Sequence, residues 1–119
     1  MTQQSEIDQD ALQRLSALGG EKLVHRIVGL FASFGVARVE DAERGFAEGD
    51  FAAVAAAAHA LRSSAGNVGA LKLLAVATEL EHTARARRGD VVKDLVSQLR
   101  QCYDTARLQL MGPVFGGMS

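Results

Sequence analysis

The chain has 119 residues, 48% of them apolar, and a formal net charge of −1. That length suits one domain with its own core, and the apolar content excludes a disordered chain. The near-neutral balance excludes a general basic field for nucleic acid, and the single cysteine, Cys102, excludes an internal disulfide and a multi-cysteine metal site.

One cysteine also fits a reducing compartment. The opening "MTQQSEIDQD" is polar and acidic, unlike a secretory signal, and no apolar run approaches the ~18 residues that span a bilayer. A cytoplasmic protein with neither membrane nor nucleic-acid partners is therefore expected. Arg85, Arg87 and Arg88 form a local basic cluster without interleaved aromatics. It reads as a helix C-terminus that favours cations.

Taken in order, Ile7, Ala11, Leu12, Leu15 and Leu18 predict a short first helix stopped by Gly19-Gly20. A second helix starts near Glu21 and runs to about Phe46, with Leu23, Val24, Ile27, Leu30, Phe31, Phe34, Val39 and Ala42 at mostly three- and four-residue steps. Gly35 is a candidate bend. "EGD" ends this helix and offers Asp50 as the N-cap of a third, which runs to about Val68. "NVG" separates it from a fourth helix over Ala70 to about Arg87, and "RGD" is a turn with another aspartate cap. The last helix carries Val92, Leu95, Leu99, Cys102 and Ala106, with Cys102 a small buried hydrophobe. Residues 112–119 are expected as a flexible tail after a bundle spanning 1–111. No strand pattern of useful length occurs. Short connections between long helices predict an all-α fold, an up-down antiparallel four-helix bundle with an additional short N-terminal helix.

The third helix holds the chemistry. At about 100° per residue, Ala52, Ala55, Ala56, Arg62, Ser63 and Gly66 all fall within about 60° of His59. Val54, Ala57, Leu61, Ala65 and Val68 lie opposite, so the core face excludes the histidine. Small neighbours leave the ring accessible. No carboxylate lies within one turn on this face to orient the imidazole as in a catalytic triad, and no second histidine or cysteine sits at metal-ligand spacing. What remains is a ring that could receive a group and a cation, Arg62, that could hold an anionic one. The residues alone leave a structural and a functional histidine both open. His25 and His82 have no comparable setting and read as surface or structural residues. Phe31, Phe34, Phe46 and Phe51 read mostly as core, with one or two available to rim a docking surface.

The series His59, Leu61, Arg62, Ser63, Ser64, Val68, Gly69 and Ala70, followed by Leu73, Ala77, Leu80 and Glu81, resembles the histidine-containing phosphotransfer (HPt) domain family. The resemblance extends from about Ile7 to Ala106. It implies a phosphorelay intermediate in two-component signalling: His59 accepts a phosphoryl group from a receiver-domain aspartate and passes it to another receiver. Arg62 stands where the family usually has lysine and, with Ser63 at a small-residue position, would steady the phosphoryl group. Arginine is a planar, longer donor and not a neutral swap. Glu81 matches the family's acidic residue and reads as a helix-surface or inter-helix hydrogen-bonding group. The chain would be a phosphocarrier and not an enzyme, with no cofactor of its own. Catalytic acids and magnesium would come from the receiver domain of a response regulator or hybrid sensor kinase. A docking surface of Ala52, Ala55, Ala56 and Gly66, with help from the second helix, and a free-standing monomer are expected. The alternative is an HPt-like docking module that binds a receiver or sensor kinase without being phosphorylated.

Overall fold

The computed structural model describes residues 7–116, with side chains described to residue 111. Four helices follow one another: α1 (Gln9–Ala47), α2 (Phe51–Val68), α3 (Leu71–Arg85) and α4 (Gly89–Gly116). The connections are two or three residues long, so sequential helices run antiparallel. α1 packs on α2 and α4, and α3 packs on the same two from across the bundle, which closes a ring of four. Among the described residues there is no strand, only an isolated bridge between Ile7 and Ala70.

The interruption expected at Gly19-Gly20 is present as a kink where two helical stretches of α1 meet: Gly20 alone leaves helical geometry, at φ 72° and ψ −166°. The kink has a purpose in the packing. A straight helix of α1's 39 residues would run about 58 Å, whereas the molecule's longest dimension is 41 Å. The arm before Gly20 instead folds over the α2–α3 end, where the backbone N–H of Asp8 donates to the Gly69 carbonyl at 2.6 Å.

Asp50 caps α2 as expected, its Oδ1 accepting from the Ala53 N–H at 3.0 Å. α2 ends at Gly69 in the left-handed region, φ 73°. Asp90 is not the N-cap of α4. The helix begins at Gly89, so Asp90 lies within its first turn, where its charge still favours the helix dipole. α4 runs on to Gly116, into the stretch 112–119 expected as a tail, and residues 117–119 of that stretch lie outside the described residues.

Leu61, Leu73, Leu80, Leu99 and Tyr103 are fully buried along the bundle axis, and Cys102 is buried with them. Tyr103 stacks on Phe31 with centroids 5.2 Å apart and donates its hydroxyl hydrogen to the Ala32 carbonyl at 2.8 Å. That bond satisfies the one polar atom of an otherwise apolar group, and burial pushes the phenol pKa above its usual range. Gly35, expected as a bend, has a different role. A Cβ there would lie 2.5 Å from Tyr103 Cε1, so the glycine lets the tyrosine ring approach the α1 backbone. Gly29, two turns earlier, has no neighbour within 4 Å of that position. The same substitution should therefore act in opposite directions. Gly29→Ala should gain up to about 1 kcal/mol from helix propensity, and Gly35→Ala should lose about 1–3 kcal/mol by overpacking. Urea unfolding of the two variants against the parent checks both signs.

Candidate functional site

α2 is apolar on the side facing α1, α3 and α4, where Val54, Ala57, Ala58, Leu61, Ala65 and Val68 are buried. His59 lies off that face, and its side chain is 66% exposed. The neighbouring α3 buries Leu73, Val76, Ala77, Leu80 and Ala84, and Glu81 lies in the same stripe with its side chain only 10% exposed. A carboxylate so placed needs partners. It has three. His59 Nδ1 lies 3.0 Å from Glu81 Oε2, Arg62 Nη1 donates to Oε1 at 2.8 Å, and Arg85 Nη2 donates to Oε2 at 2.7 Å.

These contacts fix the charge state of Glu81. Hydrogen bonds from Arg62 and then Arg85, against the opposing effect of burial, hold its carboxyl pKa at about 2 instead of 4.5, and the His59 contact adds to the lowering. An ionised carboxylate can only accept, so the ring proton of neutral His59 sits on Nδ1. Nε2 then carries the lone pair. It has no hydrogen-bond partner among the described residues, and the side chain that carries it is largely exposed. One inter-helix contact thus sets the tautomer of the neutral ring and its orientation.

The carboxylate that orients the imidazole is therefore present, on α3 and not on the histidine's own helix. The signal was legible in part: Glu81 follows Leu80 and falls in register with Ala77 and Ala84, and a lone acid in an apolar stripe demands a cation from a neighbour. Arg62 is not an unengaged cation beside the ring. It is bonded to Glu81, with its side chain 43% exposed.

Ser63, Ala52, Ala56 and Gly66 are exposed around His59 as expected. Ala55 is not. It is 5% exposed and forms part of the floor of the groove between α2 and α3, because α3 covers that flank of α2. α1 contributes what the sequence left among core positions. Leu30 is 41% and Phe34 56% exposed, and with Ile27, Ser64 and Asn67 they line a cleft of about 170 Å³ beside the exposed face of α2. His25 and His82 are exposed and join no such network among the described residues. No group of three or more histidine, cysteine, aspartate or glutamate side chains converges on a potential metal position among the described residues. No helix there is long and apolar enough to cross a membrane.

The comparisons with known proteins bear directly on this arrangement. A family model described as Hpt domain matches residues 26–109, which takes in α2, α3 and most of α1 and α4. The chain belongs to the Hpt domain family. Domains of this family are phosphocarriers that work with receiver domains in two-component signalling. The Hpt fold of the chain is also seen in the crystal structure of histidine-containing phosphotransfer protein B (HptB) from Pseudomonas aeruginosa PAO1. The two superpose with a TM-score of 0.84 at 20% identity, over 91% of this chain and 93% of that one. No curated protein matches the chain.

Proposed function

We propose that this Hpt domain is a phosphorelay intermediate whose acceptor atom is His59 Nε2. The observation that supports the reading is the His59–Glu81 contact, which holds Nδ1 of a largely exposed ring against an ionised carboxylate, so that in the neutral ring Nε2 carries the lone pair. The phosphoryl group comes from a receiver aspartyl phosphate. The phosphorus–oxygen bond to the aspartate breaks, a phosphorus–Nε2 bond forms, and the freed carboxylate stays with the receiver. No proton has to leave the ring, because the single proton of the neutral imidazole is already on Nδ1. The positive charge that develops on the phosphorylated ring faces ionised Glu81. The reverse step hands the phosphoryl group to a second receiver.

Arg62 stands one turn along α2 and turns from its bond to Glu81 toward the phosphoryl oxygens, with the Ser63 hydroxyl beside it. The acid cluster and magnesium that make the aspartyl phosphate reactive belong to the receiver. The chain acts as a monomer in the cytoplasm. Incubation with magnesium and a panel of phosphorylated receivers tests the relay directly: the receivers should lose label and this chain should gain it. A folded protein that takes no label from any receiver contradicts the reading.

The receiver docks over Ala52, Ala56 and Gly66 and against the apolar rim of α1. Leu30 and Phe34 are large apolar groups left open in the cleft with Ser64 and Asn67 of the histidine's helix, the usual mark of a contact surface. Phe34→Asp should weaken receiver binding by roughly tenfold or more, as expected for an apolar anchor, while far-ultraviolet circular dichroism stays unchanged. Titration calorimetry against a cognate receiver reads the loss.

A further inference from the structure

Two grooves flank the exposed stripe of α2, and their charges differ. The groove toward α1, about 410 Å³, contains Arg38 and Arg44, but both are bonded to Asp41, and Glu48 joins the lining. It is electrically balanced. The groove toward α3, about 430 Å³, has a floor of Ala52, Ala55 and Ala56 and a wall holding Arg85 and Arg87, with no carboxylate in its lining. Arg85 shares Glu81 with Arg62 and His59, so that carboxylate is already over-subscribed. Arg87 makes no ion pair among the described residues. Its guanidinium lies over the Phe51 ring, 5.5 Å from the centroid, which fixes its position at the groove mouth.

Arg87 is also the one non-glycine described residue with positive φ, at 58°. Glycine would satisfy that turn without strain. A side chain there costs backbone energy, and this one is a cation held over an uncharged floor. We infer that the α2–α3 groove extends the receiver's docking surface beyond Ala52 and Ala56 and takes an acidic segment of that receiver, with Arg87 as the residue that selects for it. On α2 the groove begins one turn before His59 and extends away from it, and only Arg85 joins it to the Glu81 network, so Arg87 reads the partner beside the transfer site. The inference builds on the phosphocarrier reading, but binding in the groove does not require His59.

The test uses the full chain and a peptide of alternating glutamate and alanine, with a glutamine-for-glutamate version as control. In ¹H–¹⁵N correlation spectra, the acidic peptide should shift amides within 51–56 and 84–87, and the control should not. Arg87→Gly, which relieves the backbone strain, should weaken binding at least threefold without loss of thermal stability. Arg87→Glu should abolish it. Both variants should transfer more slowly from a phosphorylated receiver at low salt, yet take label on His59 from phosphoramidate at the parent rate. His59→Gln should bind the peptide as the parent does. No shifts in the groove, or equal binding by the parent and Arg87→Glu, would overturn the inference. Failure of His59 to take label from any donor would instead overturn the phosphocarrier reading and leave the peptide result standing.

Discussion

His59→Gln should reduce phosphoryl uptake from a phosphorylated receiver to background and leave the fold intact. The substitution removes the only ring nitrogen that the site presents to a partner, and no other side chain nearby replaces it. His25 and His82 are exposed and pair with no carboxylate among the described residues. The structural cost is small because the His59 side chain is 66% exposed and Glu81 keeps Arg62 and Arg85. An exposed polar substitution of this kind changes stability by about 0.5 kcal/mol or less. The expected pair of results is therefore an unchanged urea midpoint and no label. Receiver binding measured by calorimetry should persist, which separates lost chemistry from lost docking.

Glu81→Gln should have the second largest effect, and it should appear in two measurements at once. Glutamine keeps the size of the side chain but loses the charge, so it no longer forces the ring proton onto Nδ1. Removing the partner that orients a metal-ligating imidazole costs on the order of ten- to a hundredfold, and by the same orienting effect transfer to His59 should fall by a similar factor. ¹⁵N chemical shifts of the His59 ring should show the Nδ1-protonated form in the parent and a mixture in the variant.

The second measurement is stability against pH. The folded pKa of Glu81, about 2, lies below its ordinary value of 4.5. A depressed acid stabilises the fold above the unfolded value and loses that contribution as pH falls toward the folded one. The parent should therefore exceed Glu81→Gln in stability above about pH 5. The difference should shrink steadily between pH 4.5 and 2. Its size is on the order of 1–2 kcal/mol, because all three partners are well exposed and water screens them.

The sequence carried the His59 face well and its surroundings less well. One helix with large apolar residues on one side and small ones on the other places the histidine outward by angle alone. The wheel cannot place the neighbouring helices, and Ala55 shows the result: its angle lies close to His59, but α3 covers it. Glu81 is 22 residues away and meets His59 only through antiparallel packing of α2 on α3, so no local pattern joins them. In α1, three- and four-residue steps put Leu30 and Phe34 in the same series as Phe31, yet only Phe31 faces inward. The kink at Gly20 and the wide apolar surface of α1 make its inner face ambiguous by periodicity. Gly35 was legible as exceptional but not in its reason, because the Tyr103 ring that fills the space comes from α4. The family motif held the site together across these gaps because it spans α2 and α3, the two helices that build it.

The most direct test of the account is to locate the phosphoryl group by nitrogen. The protein is labelled from a phosphorylated receiver with magnesium and kept alkaline. Tandem mass spectrometry then identifies the residue, and ³¹P–¹⁵N coupling identifies the ring atom. The account predicts one phosphoryl group on His59, attached at Nε2, with Nδ1 still protonated toward Glu81. Label on any other residue, or on His59 Nδ1, would contradict it.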